Sequence, residues 1–190
     1  RSTFIIGCIN KGLLVKPSLI LRTSIGSKLN LASQRMGDSL AIEFARIFEY
    51  LPLLDELNIE DNNLTDVGLT PIIQSLTKCN RLTSSNISRN KSTMLTIKSL
   101  ITLIENGICN IRNLIMRDLS IDDREMAECI PSFAKNRSLT YLDISHNIIG
   151  SKITHITSNH DIINKVDIAT FLQEERCTIT SLNLSWNDMC

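Results

Sequence analysis

Residues Leu54-x-x-Leu57-x-Ile59-x-x-Asn62-x-Leu64 carry an eleven-position pattern that returns further along the chain. It recurs as Leu139-x-x-Leu142-x-Ile144-x-x-Asn147-x-Ile149 and as Ile179-x-x-Leu182-x-Leu184-x-x-Asn187-x-Met189. Aligning each copy on its first apolar position places starts at Gly26, Leu54, Leu82, Ile111, Leu139 and Ile179, at intervals of 28, 28, 29, 28 and 40 residues. Copies two, five and six match well. Copy one keeps Leu29, Leu31 and Met36 but has Gln34 where Asn is expected; copy three has Ser85 and Ser92 at apolar positions; copy four has Leu119 at the Asn position. A register held over six copies is the mark of a solenoid.

The spacing has a direct physical reading. Leu57 and Ile59 are two apart, so in an extended strand both point into the core. Strands recurring every 28 residues stack as a parallel sheet, which requires a crossover between them. The intervening segments have helical periodicity, in Leu40, Phe44, Ile47 and Leu51, in Ile72, Ile73 and Leu76, and in Leu100, Leu103 and Ile104. Met126, Ile130 and Phe133 continue it, as do Val166, Ala169, Phe171 and Leu172. Asp122 or Asp123 suits an N-cap, and Pro71 suits the first turn of its helix. Asn62 and Asn147 sit where the chain leaves the strand, with amides able to satisfy backbone groups of the turn and of the next copy. The expected fold is α/β, with parallel strands on a concave face and helices on a convex face. Residues 1–25 form a lead-in or N-terminal cap segment. Residues 26–190 form the solenoid of about six repeats, the last cut short.

Composition bounds the function. The chain of 190 residues is 43% hydrophobic but only 4% aromatic, which suits a solenoid filled with aliphatic side chains. Twenty basic and twenty acidic residues give no net charge, so nothing favours nucleic acid or a membrane surface as partner. There is no apolar run of transmembrane length. Six cysteines, Cys8, Cys79, Cys109, Cys129, Cys177 and Cys190, are scattered without a C-x-x-C pair and read as reduced thiols in a cytoplasmic protein. Glycosylation sequons begin at Asn63, Asn86, Asn90, Asn136 and Asn183, but the repeat itself writes most of them.

The longest interval contains an insertion, residues 151–164, with His155, His160 and Asp161. Their spacing fits no standard zinc pattern, so no metal is expected. The seven glycines form no phosphate-binding loop, and no nucleophile elbow occurs. Asp122, Asp123 and Glu125 are explained by the dipole of a helix start. The sequence thus predicts no catalytic residue and no cofactor.

These repeats resemble the leucine-rich repeat, in the ribonuclease-inhibitor class of long strand–helix units, over roughly Ser27 to Cys190. Residues 57–69, 139–150 and 179–190 look like intracellular and axoneme-associated leucine-rich-repeat proteins, and residues 6–18 look like the segment before their first repeat. The resemblance implies a fragment of a horseshoe-shaped, non-enzymatic scaffold that binds a protein partner, cytoskeletal or ciliary in setting. The class also contains the Ran GTPase-activating protein, which makes regulation of a small GTPase the alternative.

Strand residues between the core positions point outward. Copy two then presents Asp55, Glu56, Asn58, Glu60 and Asp61, copies three and four present Arg89, Arg112, Arg117 and Asp118, and copies five and six present Tyr141, Asp143, His146 and Trp186. The concave face is expected to run from acidic, through basic, to aromatic, with Tyr, Trp and Arg as the usual anchors of a protein interface; the alternative for Trp186 is packing on a following helix or repeat.

Overall fold

The computed structural model describes residues 2–15, 27–107, 110–150, 172–173 and 177–188. Six three-residue strands, β1 (Lys28–Asn30), β2 (Glu56–Asn58), β3 (Ser84–Asn86), β4 (Asn113–Ile115), β5 (Tyr141–Asp143) and β6 (Ser181–Asn183), form one open sheet in chain order. All neighbours are parallel, and Leu29, Leu57, Ser85, Leu114, Leu142 and Leu182 stand opposite one another. That row is the repeat register read in space. Between the strands run helices α2 (Gly37–Ala45), α3 (Asp66–Ser75), α4 (Met94–Glu105) and α5 (Asp123–Lys135), each packed on the next. The start proposed at Gly26, the insertion at 151–164 and most of the stripe Val166, Ala169 and Phe171 lie outside the described residues. Leu172 of that stripe is 42% exposed rather than inward.

The core between sheet and helices holds Leu57, Ile59, Leu64, Ile72, Ile73, Leu114, Met116, Leu142 and Ile144, all fully buried. Helix α1 (Ser2–Asn10) lies on α2, where Phe4 meets Phe44 edge-to-face with centroids 5.5 Å apart, and Phe44 meets Phe48 at 5.7 Å. Beneath α1 the Glu43 carboxylate, 1% exposed, pairs with Lys11 at 2.7 Å and Arg46 at 3.6 Å. A Cβ on Gly7 would come 2.2 Å from a Glu43 oxygen, so any larger residue there would require the Glu43 carboxylate to shift.

Three expectations need correction. The stripe through Leu40 and Phe44 does not continue as one helix to Leu51. Helix α2 ends at Ala45, a 3-10 turn covers Phe48–Tyr50, and Phe48 rather than Ile47 is the fully buried side chain. Pro71 lies in the interior of α3 and not in its first turn, because Thr65 caps the helix earlier by accepting from the Val67 N–H at 3.2 Å. The loss of one helical bond at Pro71 is outweighed by burial of Leu69, Ile72 and Ile73 around it. Lastly, the repeat asparagines serve the preceding copy and not the next. Asn62 Oδ1 accepts from the Gln34 and Met36 N–H groups, and its Nδ2 donates to Leu31 O as well as to Ile59 and Glu60 in its own turn. Asn90 and Asn147 repeat this one and three copies on.

Of the two helix-start candidates, Asp122 is the cap. It accepts from the N–H groups of Arg124 and Glu125 at 2.9 Å, while Glu125 accepts from Asp122 N–H in a complete capping box. Asp123 instead accepts from Gly150 N–H of the next copy at 2.7 Å.

Copy three combines two weaknesses. Ser85 and Ser92 are buried where aliphatic side chains would contribute roughly 1.5–3 kcal/mol each. Leu119 also replaces the Asn that would have accepted from the Asn90 and Ser92 N–H groups, leaving one substitute bond from Ser92 Oγ to Leu119 O at 3.2 Å. Hydrogen exchange should therefore be faster across Thr83–Thr93 than across Leu139–Ile149. Equal protection would mean that the two serines are fully accommodated.

Candidate functional site

The structure separates the predicted face into three columns running across the strands. The first contains Lys28, Glu56, Ser84, Asn113, Tyr141 and Ser181, aligned by strand register. Lys28 pairs with Glu56 at 2.7 Å, and nearby Arg81 pairs with Asp55 at 3.1 Å. The hydroxyl of Ser27 and the charge of Arg81 hold the Asp55 carboxyl below its ordinary value. The acidic end is thus largely neutralised by its own neighbours. Arg112, just before β4, is exposed.

The middle column is Asn30, Asn58, Asn86, Ile115, Asp143 and Asn183. Each Asn or Asp here accepts from the N–H two residues on, in Ala32, Glu60, Ser88, Ser145 and Ser185 respectively, at 2.9–3.1 Å. These side chains turn the chain off the strand. Sequence reading assigned Asn58 and Asp143 among them to the partner-facing surface, and noted Asn86 and Asn183 only as sequons. The signal was present as one polar type at the same position in five of six copies.

Asp143 corrects the expectation of an exposed acid. It faces the predicted side but is 4% exposed, covered by Ser145 Oγ at 2.6 Å, Asn183 Nδ2 at 3.1 Å and Tyr141 OH at 3.4 Å, with Arg117 4.0 Å away. Burial alone would raise its pKa, but the hydrogen bonds from Ser145 and Asn183 and the charge of Arg117 outweigh it and hold the carboxyl low. Burial and the Asp143 charge push the Tyr141 phenol up. Tyr141 is half-buried, so its hydroxyl serves the strand face as much as a visitor.

The third column is a ridge at the C-terminal ends of the strands: Ser33, Asp61, Arg89, Asp118, His146 and Trp186. All six are exposed and all adopt left-handed backbone, with φ between 50° and 59°. Such a conformation is uncommon outside glycine and unusual for Trp. It is held by a ladder, since the N–H groups of Ser33, Asp61, Arg89, Asp118 and His146 each donate to a carbonyl of the next copy at 2.8–3.2 Å. A conformation that costs on the order of 1 kcal/mol or more persists where surrounding bonds over-determine it. The consequence is a line of side chains aimed outward at strand spacing. Arg89 lies 3.8 Å from Glu60, Ser33 Oγ donates to Asp61 at 2.9 Å, and the rings of His146 and Trp186 stack with centroids 5.7 Å apart and planes 14° apart. Trp186 remains 77% exposed. The structure therefore brings Asp61, Arg89, His146 and Trp186 onto one ridge, places Glu60 and Arg117 beside it, and leaves Asp55, Glu56, Arg112 and Tyr141 towards the other end of the strands.

A second ladder joins the helix starts. Asp38 of α2 accepts from the N–H and hydroxyl of Thr65, and Asp66 of α3 accepts from those of Thr93 and Thr96. Burial would raise the Asp66 pKa, but the threonine bonds outweigh it and lower it from 3.8. Because the folded value lies below the unfolded one, this stabilisation is complete above about pH 5 and is lost as pH falls through the folded value. The urea midpoint should fall between pH 5 and pH 3, and the fall should be shallower in Asp66→Asn. A variant curve parallel to the original would remove Asp66 from the acid limb.

Of the sequon asparagines, Asn90 is buried in the repeat network, and the amides of Asn86, Asn136 and Asn183 are engaged in hydrogen bonds. Asn63 is exposed. Cys8, Cys79 and Cys129 are buried free thiols, and burial pushes Cys129 up to about 12. His155, His160 and Asp161 lie outside the described residues, among which no group of metal-ligating side chains occurs. No helix among the described residues is long and apolar enough to cross a membrane.

A family model described as a leucine-rich repeat matches residues 50–72, 135–153 and 176–189, which are the neighbourhoods of copies two, five and six. No curated protein matches the sequence. Among solved structures, the actin-binding site 2 of leiomodin-1 is similar, with a TM-score of 0.55 and 15% identity over 61% of this chain and 68% of that one. At that identity the likeness is one of fold. The parallel register, the asparagine ladder and the three matched segments make this chain an α/β leucine-rich-repeat solenoid.

Proposed function

We propose that the chain is a non-enzymatic interaction module that holds a protein on its strand face, with the ridge through His146 and Trp186 as the anchor. One observation carries this reading. The chain's single Trp is 77% exposed, stacked on a neighbouring ring, and carried on left-handed backbone with φ 59°. Leaving an indole in water forgoes burial that a core position would use, whereas Trp is the residue type most often found at energetic hot spots. Arg89, Arg112, Arg117, Tyr141 and the acidic residues Asp55, Glu56, Glu60 and Asp61 extend the proposed surface.

The finer assignment is a ribonuclease-inhibitor-like scaffold in the cytoplasm, on a cytoskeletal partner. The similar leiomodin-1 structure is an actin-binding site, which makes actin the first partner to test. The alternative, a GTPase regulator, would present its acidic edge to a basic nucleotide-binding protein, and the pairing of Asp55 with Arg81 and Glu56 with Lys28 weighs against it. The test is co-sedimentation with actin filaments, followed by capture of cell proteins on the immobilised chain. The partner obtained should bind Trp186→Ala at least tenfold more weakly and Glu128→Ala, on the helix side, with unchanged affinity. A partner equally indifferent to both, or an effect confined to the helix side, would place binding elsewhere.

A further inference from the structure

We propose that this ridge takes an extended basic segment of a partner, with one Lys or Arg side chain laid on the open face of Trp186. The inference rests on the interaction reading above and adds the chemistry of the occupant. His146 covers one face of the indole, and 77% exposure leaves the other open. An indole face attracts a cation through its quadrupole more strongly than it attracts any other charge, and Trp is the best of the aromatic residues at this.

The charges around it have the complementary sign. Arg89 on the ridge and Arg117 beside it lie 3.8 Å from Glu60 and 4.0 Å from Asp143, whereas Lys91, two residues beyond Arg89, is exposed with no ion pair among the described residues. Asp118 on the ridge and Asp188, two residues beyond Trp186, are exposed and form no ion pair among the described residues. Asp61, two copies before Asp118, holds only the Ser33 hydroxyl. Along the ridge the carboxylates without an ion pair among the described residues, Asp61, Asp118 and Asp188, thus outnumber the one such cation beside it, Lys91, in a chain whose total charge is zero. Its spacing is regular as well. Asp61, Asp118 and Trp186 stand two copies apart, roughly 10 Å at the usual strand separation of about 4.8 Å. Three residues of polyproline II chain, at a rise of about 3.1 Å and three residues per turn, span about 9 Å and return every third side chain to the same face. A segment lying across the strands with a cation at every third residue would meet Asp61, Asp118 and the Trp186–Asp188 pair in turn.

Trp186 is the only Trp, so its fluorescence reports this site alone. The intact protein is titrated with three peptides of about ten residues, carrying Arg, Glu or Ser at every third position in a Gly-Ser background, and binding is confirmed by calorimetry. The Arg peptide should shift Trp186 emission saturably and bind more weakly as salt rises, while the Glu and Ser peptides leave emission unchanged. The double variant Asp118→Asn, Asp188→Asn should lose at least fivefold in affinity, and Trp186→Ala at least tenfold by calorimetry. Binding of the Glu or Ser peptide as tight as that of the Arg peptide, or an Arg affinity unchanged in the aspartate variant, overturns the basic occupant and leaves the ridge an interaction surface. No response to any peptide, with a captured partner that still depends on Trp186, likewise overturns the basic occupant alone. Silence of all three together with a partner indifferent to Trp186→Ala overturns both readings.

Discussion

Asn147→Ala should cost roughly 3–5 kcal/mol of folding stability, read as a lower urea midpoint at an unchanged slope. The side chain is buried and accepts from Leu119 N–H at 3.0 Å and Ile121 N–H at 3.1 Å, while donating to the carbonyls of Met116, Ile144 and Ser145. Alanine leaves at least two buried N–H donors without an acceptor, at about 1–3 kcal/mol each, before any cavity term. Asn80→Ala, in an exposed turn, should stay within about 0.5 kcal/mol of the parent. A loss below about 1 kcal/mol at Asn147 would mean that water replaces the amide and that the ladder is not what joins the copies.

The chain already contains a natural version of this experiment at copy four. Leu119 stands where Asn is expected and is fully buried, so an apolar contact has replaced a polar one. Ser92, itself a departure from the apolar pattern, supplies a hydroxyl to the Leu119 carbonyl. The two irregularities that weaken the pattern in sequence thus meet in space, and each partly answers the other. Copies three and four, like copy one, are left unmatched by the family model.

This pairing illustrates what a linear reading can and cannot reach. The core positions were legible because burial acts on residue type, and a spacing of two or of three and four maps directly onto strand or helix. The strand-face acids were legible as outward-pointing, but their pairing was not. Arg81 meets Asp55 across 26 residues, which depends on how the loop before β3 folds back. The left-handed ridge was illegible for a different reason. Ser33, Asp61, Arg89, Asp118, His146 and Trp186 share no chemistry, and the first five are tied by a ladder of bonds to the next copy that no single stretch of sequence displays. Pro71 misled because a local preference for the first turn yielded to the cap at Thr65.

Leu142→Ala should destabilise the fold by roughly 2–5 kcal/mol, and Trp186→Ala should not, although Trp186 has much the larger side chain. Leu142 is fully buried at the centre of β5, between Leu114 and Leu182 in register, so truncation opens a cavity that the fixed strands cannot close. Leu182 is a poorer comparator, because it is only partly buried in β6. Trp186 contributes its stacking on His146, about 0.5–1.5 kcal/mol, and little else to the fold. Its expected loss is in binding, about 2 kcal/mol or more, as at other interface anchors. The two variants should therefore separate: the first lowers the melting temperature and binds its partner normally once folded, and the second keeps its melting temperature within a few degrees and binds poorly. Should Trp186→Ala melt as early as Leu142→Ala and still bind its partner fully, the indole is part of what holds the solenoid together, and the ridge is not the site.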